Sequence, residues 1–385
     1  MAKGRNLQRT VFYEKQDNMQ NIIHNIFSNR VAQPRSILVI RLSSMGDVLL
    51  TTPLVRLLRK RFPEARLDVC ISEEWHTIYH DNPHCTNVFT YKRSFSAQEL
   101  QAWKHNIAAS LLKTTGEARY DLIIDLQRNR RSRQIRRGLG AQVRKIRKYR
   151  LHKLALVYLK SNLHAKTIHI TERYRETLPN LMLQDDGRGL DFGQAQVNQS
   201  KPSAADENIV RIAIAPGAHH ATKRWLPEGF AETALLLTKR LELQGKATTI
   251  LLIGGVADKS ICAEVASHLA DKVAVHNTSP NTSLAETAQI LDSADILLCN
   301  DTGVMHLAAA RGLPLVAIFG STVPELGFAP FRVEHRIVQT ALECRPCTHI
   351  GRATCPKGHF GCMRGVGGAE VAEAAWELLA LKNVP

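Results

Sequence analysis

The chain has 385 residues, of which 44% are hydrophobic and 22% charged, values that are ordinary for a globular protein and exclude a disordered, collagen-like or coiled-coil chain. Its 51 Lys and Arg against 35 Asp and Glu give a net charge of +16, which favours an anionic partner. No apolar stretch approaches the about 18 residues of a membrane-spanning helix, and the first 30 residues lack the apolar run of a secretory signal. We therefore expect a cytoplasmic protein with two or three domains.

Short apolar runs that alternate with helical patterns predict parallel sheets covered by helices on both faces. In the first half of the chain, strands are predicted at 36–42, 67–71, 87–91 and 120–126, with a helix at 48–62. In the second half, strands are predicted at 210–216, 248–255, 273–277, 295–300 and 314–320, with helices at 230–244 and 304–312. The predicted fold class is α/β, with two doubly wound Rossmann-like domains that face a central cleft.

A polar segment rich in Gly, Ser and Asn separates the two series and predicts an interdomain linker. The expected organisation is an N-terminal extension at 1–33, a first Rossmann-like domain at 34–190, a linker at 191–208, a second Rossmann-like domain at 209–365 and a C-terminal helix at 366–385. Domains of this kind bind ligands beyond the carboxyl ends of their strands. The residues that directly follow the strands are therefore the candidate functional residues.

The first strand is followed by the sequence RLSSMGD at 41–47. Ser43, Ser44 and Gly46 predict a tight turn, and the N–H groups at the start of the next helix can hold an anion. Asp47 lies at that helix start, where it fits either a helix cap or a group that acts in the cleft. On this segment alone, a cap is the commoner role.

The first strand of the second half is followed by APGAHHATKRW at 215–225, which places Thr222 and Lys223 ahead of a helix. A lysine at this point can reach a diphosphate as a point charge. The alternative is a solvated loop lysine, which is the usual environment of lysine.

A third strand end carries Asp301, Thr302 and Gly303, with His306 in the first turn of the helix that follows. A strand-to-helix turn of this composition directs backbone N–H groups and a hydroxyl at phosphate. Taken alone, His306 is more often a packed histidine than a functional one.

The segments SSMGDVLLTTPLVRLLRKRFP, PGA followed by KRWLPEGFA, LLIGG, and NDTGVMHLAAARGLPLVAIFGST occur in this order between about residues 36 and 365. Together they resemble the bacterial ADP-heptose:lipopolysaccharide heptosyltransferases. The segment CRPCTHIGRATCPKGHFGCM is similar to that of the branch that adds the second heptose, heptosyltransferase II. The resemblance implies an inverting glycosyltransferase with two Rossmann-like domains, the GT-B type, which requires no cofactor and uses ADP-heptose as co-substrate.

The resemblance also implies that the first domain binds the acceptor and the second binds the nucleotide sugar. Asp47 is then the general base that deprotonates the attacking hydroxyl, and Lys223 is the catalytic cation that stabilises the departing diphosphate. The implied donor-binding residues are Thr222, Lys223, Asp258, Asp301, Thr302, Gly303 and His306. The implied acceptor-binding residues are Ser43, Ser44, Gly46, Gln127, Arg130 and Arg133.

A strongly basic stretch at 128–153 contains nine Arg and three Lys. It fits a phosphorylated acceptor, the lipid A–core, and basic residues near an anionic leaflet favour peripheral contact with the inner membrane. A solvated basic face and a nucleic-acid-binding surface are the alternatives. Because Tyr149 is the one Phe, Trp or Tyr in the stretch, it offers no platform for base stacking, and we expect no nucleic-acid partner.

Four cysteines near the C-terminus, Cys344, Cys347, Cys355 and Cys362, include one Cys-x2-Cys pair. Such a set is compatible with structural Zn or an Fe–S cluster. Because the second pair does not repeat the Cys-x2-Cys spacing, we favour a chain without metal, with reduced thiols or a regulatory disulfide at this position.

The leading hypothesis is transfer of heptose from ADP-heptose to the inner core of lipopolysaccharide. The enzyme alternative is a glycosyltransferase of the same family that uses another nucleotide sugar or acceptor, and the non-enzyme alternative is a nucleic-acid-binding protein that uses the basic stretch. A dehydrogenase is disfavoured because neither first strand is followed by the Gly-x-Gly-x-x-Gly turn.

Overall fold

The computed structural model describes residues 33–163, 167–193 and 208–382. The predicted N-terminal extension lies outside the described residues up to position 32, and the predicted linker lies outside them from 194 to 207. The described chain forms two all-parallel sheets, of five and six strands.

The first sheet has the strand order β3-β2-β1-β4-β5. Its strands are β1 (Ser36–Ile40), β2 (Arg66–Ser72), β3 (Asn87–Tyr91), β4 (Tyr120–Asp125) and β5 (Gly140–Lys145). Its helices are α1 (Met45–Leu49), α2 (Thr52–Arg61), α3 (His76–Tyr79), α4 (Ala97–Thr115), α5 (Arg130–Arg136), α6 (Arg150–Leu154) and α7 (Ile170–Arg175). A turn of π-helix (Ala155–Leu159) continues α6, and 3-10 turns occur at Glu73–Trp75 and Pro179–Leu181.

The second sheet has the strand order β11-β10-β9-β6-β7-β8. Its strands are β6 (Ile209–Ala215), β7 (Ala247–Leu252), β8 (Ala274–Asn277), β9 (Ile296–Asn300), β10 (Leu315–Ile318) and β11 (His335–Val338). Its helices are α8 (Pro227–Glu242), α9 (Lys259–Leu269), α10 (Leu284–Ser293), α11 (Gly303–Ala310), α12 (Gly361–Arg364) and α13 (Gly368–Lys382). Further 3-10 turns occur at Ala221–Lys223, Val256–Asp258 and Pro324–Leu326.

Both sheets follow the order of nucleotide-binding doubly wound folds, in which the first strand pairs with the second on one side and with the fourth on the other. The direction of winding reverses between β1 and β4 and again between β6 and β9, and a crevice opens there at the carboxyl ends of the strands. The residues of β1 and β9 are fully buried, as expected of central strands covered on both faces. The predicted α/β fold with two Rossmann-like units is confirmed.

The two sheets meet where α1 packs against α11. A Cβ atom at Gly46 would lie 2.7 Å from Cδ2 of His306, and one at Gly303 would lie 2.5 Å from Cε of Met45. Glycine at these two positions therefore allows the helices to approach within backbone contact. The largest apolar core cluster accordingly continues from β1 in the first sheet through Met305 of α11 to Leu297 of β9 in the second sheet.

Three features differ from the sequence predictions. The helix predicted at 48–62 is divided into α1 and α2, because the Thr51 and Thr52 hydroxyls donate to the carbonyls of Val48 and Leu49 and Pro53 lacks an amide hydrogen. The edge strands β5 and β11 were not predicted. The basic stretch 128–153 is a folded unit that contains α5, β5 and α6 rather than a continuous charged face.

The C-terminal helix α13 packs on the second sheet and on α8. Among the helices of the described residues, none has the length and apolar character needed to cross a bilayer.

Candidate active site

Asp47 is held in a fixed position at the carboxyl end of β1. Its Oδ1 lies 2.7 Å from Nη2 of Arg41, and its Oδ2 accepts hydrogen bonds of 3.2 Å from the backbone N–H and the hydroxyl of Ser44. Arg41 also donates to the carbonyls of Leu126 (2.7 Å) and Ser43 (3.1 Å). The guanidinium therefore joins the carboxylate to the ends of both β1 and β4.

The environment of Asp47 keeps its carboxyl group ionised. Burial raises the pKa of Asp47, but the Arg41 charge and the hydrogen bonds from Ser44 more than offset that effect, so the pKa lies below its ordinary value. The side chain remains 21% exposed, which leaves it accessible to a substrate hydroxyl. The bond from Ser44 N–H is also a helix-capping contact, so the cap and the general base are compatible roles of one carboxylate.

The predicted acceptor-binding residues lie around the same turn. Gln127, which follows β4, accepts hydrogen bonds at Oε1 from the N–H groups of Leu42 (3.0 Å) and Ser43 (3.3 Å). The next helix, α5, exposes Arg130 and Arg133. The structure thus brings Ser43, Ser44, Gly46 and Gln127 together at the ends of β1 and β4, with the two arginines on the adjoining helix.

Lys223 and Asp301 form an ion pair at the carboxyl end of the second sheet. Their Nζ and Oδ2 atoms are 2.7 Å apart, and the side chains are 16% and 10% exposed. The Thr322 hydroxyl donates to the same Oδ2 over 2.6 Å. Asp301 therefore positions the ammonium group of Lys223 in the crevice rather than in bulk solvent.

The start of α11 contains two buried polar atoms that have no hydrogen-bond partner within the described part of the chain, Oγ1 of Thr302 and Nδ1 of His306. Burial lowers the pKa of His306 to about 4, so its ring is neutral at physiological pH. The charges of Asp47, Asp301 and Lys223 all act on this ring, which places His306 between the two halves of the site. Because buried polar atoms are normally paired, the two atoms indicate the position of a polar ligand.

The Thr222 hydroxyl is fully engaged in hydrogen bonds within the chain. Its hydroxyl donates to the carbonyl of Arg352 (3.1 Å) and accepts from the N–H of Arg352 (2.8 Å) and from the Ser321 hydroxyl (3.0 Å). A hydroxyl has one hydrogen to donate and two lone pairs, so no capacity remains for a phosphate. Thr222 thus stabilises the loop that carries Lys223, and its expected contact with the donor stays a prediction.

Asp258 lies where the ends of β6 and β7 are adjacent. Its Oδ2 accepts from the N–H of Gly255 over 3.1 Å, and its carboxylate lies against Gly217, where a Cβ atom would be 2.1 Å from Oδ1. This position is on the second sheet, as the donor-binding prediction requires, and contact with a ribose stays a prediction.

Three supporting residues were missed by the sequence reasoning: Arg41, Thr322 and Asn300. Asn300 is fully buried and accepts from the N–H of Trp225 (3.0 Å) while it donates to the carbonyl of Pro216 (2.8 Å). It thereby fixes the two ends of the loop that holds Lys223. The available signal was a polar residue at the end of an otherwise apolar strand, which both Arg41 and Asn300 display.

The four C-terminal cysteines are reduced and affect one another's pKa values. Burial and the neighbouring thiols raise the pKa of Cys347, and burial raises that of Cys362 to about 11. For Cys355 the effect of burial is outweighed by hydrogen bonds from the N–H groups of residues 357–360, which lower its pKa. Within the described ranges, no three of these sulfur atoms lie within 4.8 Å of one another. The expectation of a chain without metal remains untested.

Comparison with known sequences places this arrangement in a family. Residues 108–357, more than half of the chain, match the profile of glycosyltransferase family 9 (heptosyltransferase). The chain is 31% identical over 172 residues to lipooligosaccharide heptosyltransferase 2 of Campylobacter jejuni, a match that spans 44% of this chain and half the length of that protein. It is 25% identical over 284 residues to lipopolysaccharide heptosyltransferase 3 of Escherichia coli K12, covering 72% of this chain and 80% of that protein.

Solved structures share the fold. A family 9 glycosyl transferase from Veillonella parvula superposes with a TM-score of 0.69 at 22% identity, over 90% of this chain and 98% of that one. The E. coli heptosyltransferase WaaC with ADP gives a TM-score of 0.62 at 22% identity, over 89% and 99% of the two chains. These neighbours support the GT-B arrangement of the two Rossmann-like units. The chain belongs to glycosyltransferase family 9, the heptosyltransferase family.

Proposed function

We propose that this protein transfers heptose from ADP-heptose to the inner core of lipopolysaccharide, with inversion at the anomeric carbon and with Asp47 as the general base. The observation that carries the proposal is the pair of facing charged groups, Asp47–Arg41 on the first sheet and Lys223–Asp301 on the second, with the neutral His306 between them. An ionised carboxylate opposite a cation suits transfer from a sugar diphosphate, because the carboxylate can accept the proton of the attacking hydroxyl and the cation can compensate the charge of the departing diphosphate.

In the proposed reaction an acceptor hydroxyl attacks the anomeric carbon on the face opposite to the diphosphate. The hydroxyl proton passes to a carboxylate oxygen of Asp47 as the new carbon–oxygen bond forms, and the bond to the diphosphate breaks with both electrons leaving on ADP. Arg41 keeps Asp47 ionised until the attack begins, when the hydroxyl becomes acidic enough to give up its proton.

Negative charge develops on ADP as the bond breaks, and it needs compensation in a crevice partly closed to water. Lys223 supplies a positive charge, and the N–H groups at the start of α11 supply fixed dipoles. The unpaired Oγ1 of Thr302 and Nδ1 of His306 are available for hydrogen bonds to the phosphates or the sugar hydroxyls. Asp258 is the proposed contact for the ribose.

The acceptor side is the turn of Ser43, Ser44 and Gly46, with Gln127 beside it and the exposed Arg130 and Arg133 for the phosphates of the lipid A–core. The proposal includes a cytoplasmic location with peripheral contact to the inner membrane, and no nucleic-acid partner. We propose the heptosyltransferase II branch, which acts on an acceptor that already carries one heptose.

The test is incubation of the purified protein with ADP-heptose and lipopolysaccharide from a heptose-deficient strain, with the acceptor mass read by mass spectrometry. Acceptors with no heptose and with one heptose are compared, and the anomeric configuration of the product is determined by NMR. A gain of one heptose on the mono-heptosylated acceptor only, with inversion, is expected. Transfer from a different nucleotide sugar in parallel reactions, and none from ADP-heptose, would contradict the proposal in favour of another donor.

A further inference from the structure

The segment from Leu151 to Leu163 exposes an unusual group of apolar side chains. Leu151, Leu154, Tyr158, Leu159 and Leu163 are each between 51% and 79% exposed. The other large exposed apolar side chains of the described residues are scattered along the chain, and most of them stand alone in sequence. Single exposed apolar residues are ordinary, whereas a cluster of this size indicates a surface that contacts something apolar.

The opposite face of the same segment is firmly packed. Ala155, Leu156 and Val157 are buried, and Leu156 packs against Val323 and Leu326 from the second half of the chain. At the end of the π-helical turn, the Lys160 ammonium donates to the carbonyls of residues 157, 344 and 346, at 2.7, 3.0 and 2.8 Å. The exposed side chains are therefore presented by an anchored element and not by a frayed one.

The part of the chain that carries this apolar surface is strongly basic. No Asp or Glu occurs between Asp125 and Glu172. Seven basic residues lie in or directly before the segment: Arg144, Lys145, Arg147, Lys148, Arg150, Lys153 and Lys160. A second copy of this chain would bring two such charge sets together, which is unfavourable. A partner with an anionic outer layer and an apolar interior accommodates both the leucine side chains and the Lys and Arg side chains.

The segment is also adjacent to the catalytic base. Lys153, on α6 between the exposed Leu151 and Leu154, is near enough to Asp47 and Arg41 for their charges to act on it. One side of α6 thus borders the cleft while its exposed side chains face away from the protein. A partner that binds these exposed side chains would therefore lie close to the mouth of the cleft.

We propose that Leu151, Leu154, Tyr158, Leu159 and Leu163 insert into the headgroup region of an anionic bilayer, with the flanking Lys and Arg side chains on the lipid phosphates. The benefit of this docking to the reaction rests on the proposed function. If the acceptor is anchored in the bilayer by its lipid, docking would place the cleft level with the core sugars of that acceptor. The docking is carried by the 151–163 segment, which begins at the end of the basic stretch 128–153 from which the sequence predicted membrane contact and extends ten residues beyond it.

The test measures co-sedimentation of the full-length protein with vesicles, without donor or acceptor. Wild type is compared with the triple variant Leu154→Ser, Tyr158→Ser, Leu159→Ser and with the control triple Leu112→Ser, Leu243→Ser, Leu381→Ser, whose positions are similarly exposed on other elements. With phosphatidylglycerol-containing vesicles the first triple should bind at least about tenfold more weakly, since three apolar side chains no longer insert. The control triple should bind like wild type, and vesicles of phosphatidylcholine alone should bind wild type weakly.

Equal binding of wild type and the first triple to anionic vesicles would overturn the proposal, as would an equal loss in the control triple. A wild-type dimer that the first triple converts to monomer would assign the surface to a second copy instead. Activity separates this proposal from the proposed function: the first triple should lose transfer to vesicle-embedded acceptor but retain transfer to a deacylated, soluble one. If no heptose transfer is found with any acceptor while vesicle binding follows the expected pattern, the proposed function fails and the docking surface stands.

Discussion

Replacing Asp47 with Asn separates the helix-capping contact of this carboxylate from its proposed role as the general base. The amide retains an oxygen that can accept from the N–H and hydroxyl of Ser44, so the capping contact survives. The negative charge is lost, and with it the ion pair to Arg41 and the capacity to accept a proton. The variant should therefore remain folded and lose catalysis.

The two losses differ in size. General-base catalysis typically contributes at least about 100-fold to the rate, so turnover should fall by about 100-fold or more. This corresponds to a rise of about 2.7 kcal/mol or more in the activation free energy. The effect on stability is smaller than for a fully buried pair, because the side chains of Arg41 and Asp47 are 14% and 21% exposed and Arg41 keeps two carbonyl acceptors. We expect the free energy of unfolding to fall by about 1–3 kcal/mol.

The assay compares kcat per folded molecule, the dissociation constant for ADP, and urea-induced unfolding. A matched control is Asp68→Asn in β2, which removes the charge of a buried carboxylate that lies 2.8 Å from Arg66 and 2.6 Å from the Tyr120 hydroxyl. The control should lose at least as much stability and keep its turnover per folded molecule. The Asp47 variant should lose turnover per folded molecule and no more stability than the control, with unchanged affinity for ADP.

Two results would refute this reasoning. A folded Asp47→Asn protein with wild-type turnover would show that the carboxylate is not the base. A loss of activity that simply follows the unfolded fraction, and that Asp68→Asn reproduces, would assign Asp47 to helix capping alone.

Further predictions concern the donor side, the acceptor side and pH. Lys223→Ala should weaken ADP binding about tenfold and slow turnover, because the diphosphate charge loses its counter-ion; an unchanged donor titration in a calorimeter would remove Lys223 from the site. Chelation with EDTA should leave initial rates unchanged, since the charge on ADP is met by Lys223 and α11; recovery of a lost rate by one added metal would contradict this. The double variant Arg130→Gln, Arg133→Gln should raise KM for the phosphorylated acceptor and leave the affinity for ADP unchanged. A change in ADP affinity alone would show that these arginines do not bind the acceptor. His306 has an ordinary pKa of 6.5 and a folded pKa of about 4, so between these values the unfolded state binds more protons, and the free energy of unfolding should rise with pH by about 3 kcal/mol. In urea titrations at pH 4.5 to 7, His306→Gln should flatten this pH dependence. An unaltered slope would show that the ring is not buried in its neutral form.

The sequence predicted the central strands well because these strands are covered on both faces and read as continuous apolar runs. It failed at β5 and β11, which are edge strands with a single partner and largely half-buried side chains. In β5 the residues are GAQVRK, where the charges needed on an exposed edge conceal the strand signal. The same charges led the whole stretch to be interpreted as a contact surface for a phosphorylated acceptor and an anionic membrane.

For the site, family resemblance assigned roles to Asp47, Lys223, Asp301 and His306, and the structure brings these four residues together. Arg41 and Thr322 were missed because their importance depends on which atoms they meet in space, and spacing along the chain does not report that. The hydrogen bonds of Thr222 could not be predicted for the same reason: a hydroxyl beside a lysine is available or saturated according to the loop packed against it, here the one at Arg352.

Each half of the site is assembled from its own sheet. Arg41, Ser44 and Gln127 orient the Asp47 turn without help from the second sheet, and Asn300 and Thr322 orient Lys223 and Asp301 without help from the first. Beside these groups the halves meet at the glycine contacts of α1 and α11. Elsewhere Leu156 packs against Val323 and Leu326, and Lys160 donates to the carbonyls of residues 344 and 346. The two halves can consequently diverge as separate modules, and a chimera that exchanges one half with a relative should keep its chemistry where Gly46, Gly303 and the partners of Leu156 and Lys160 are all retained.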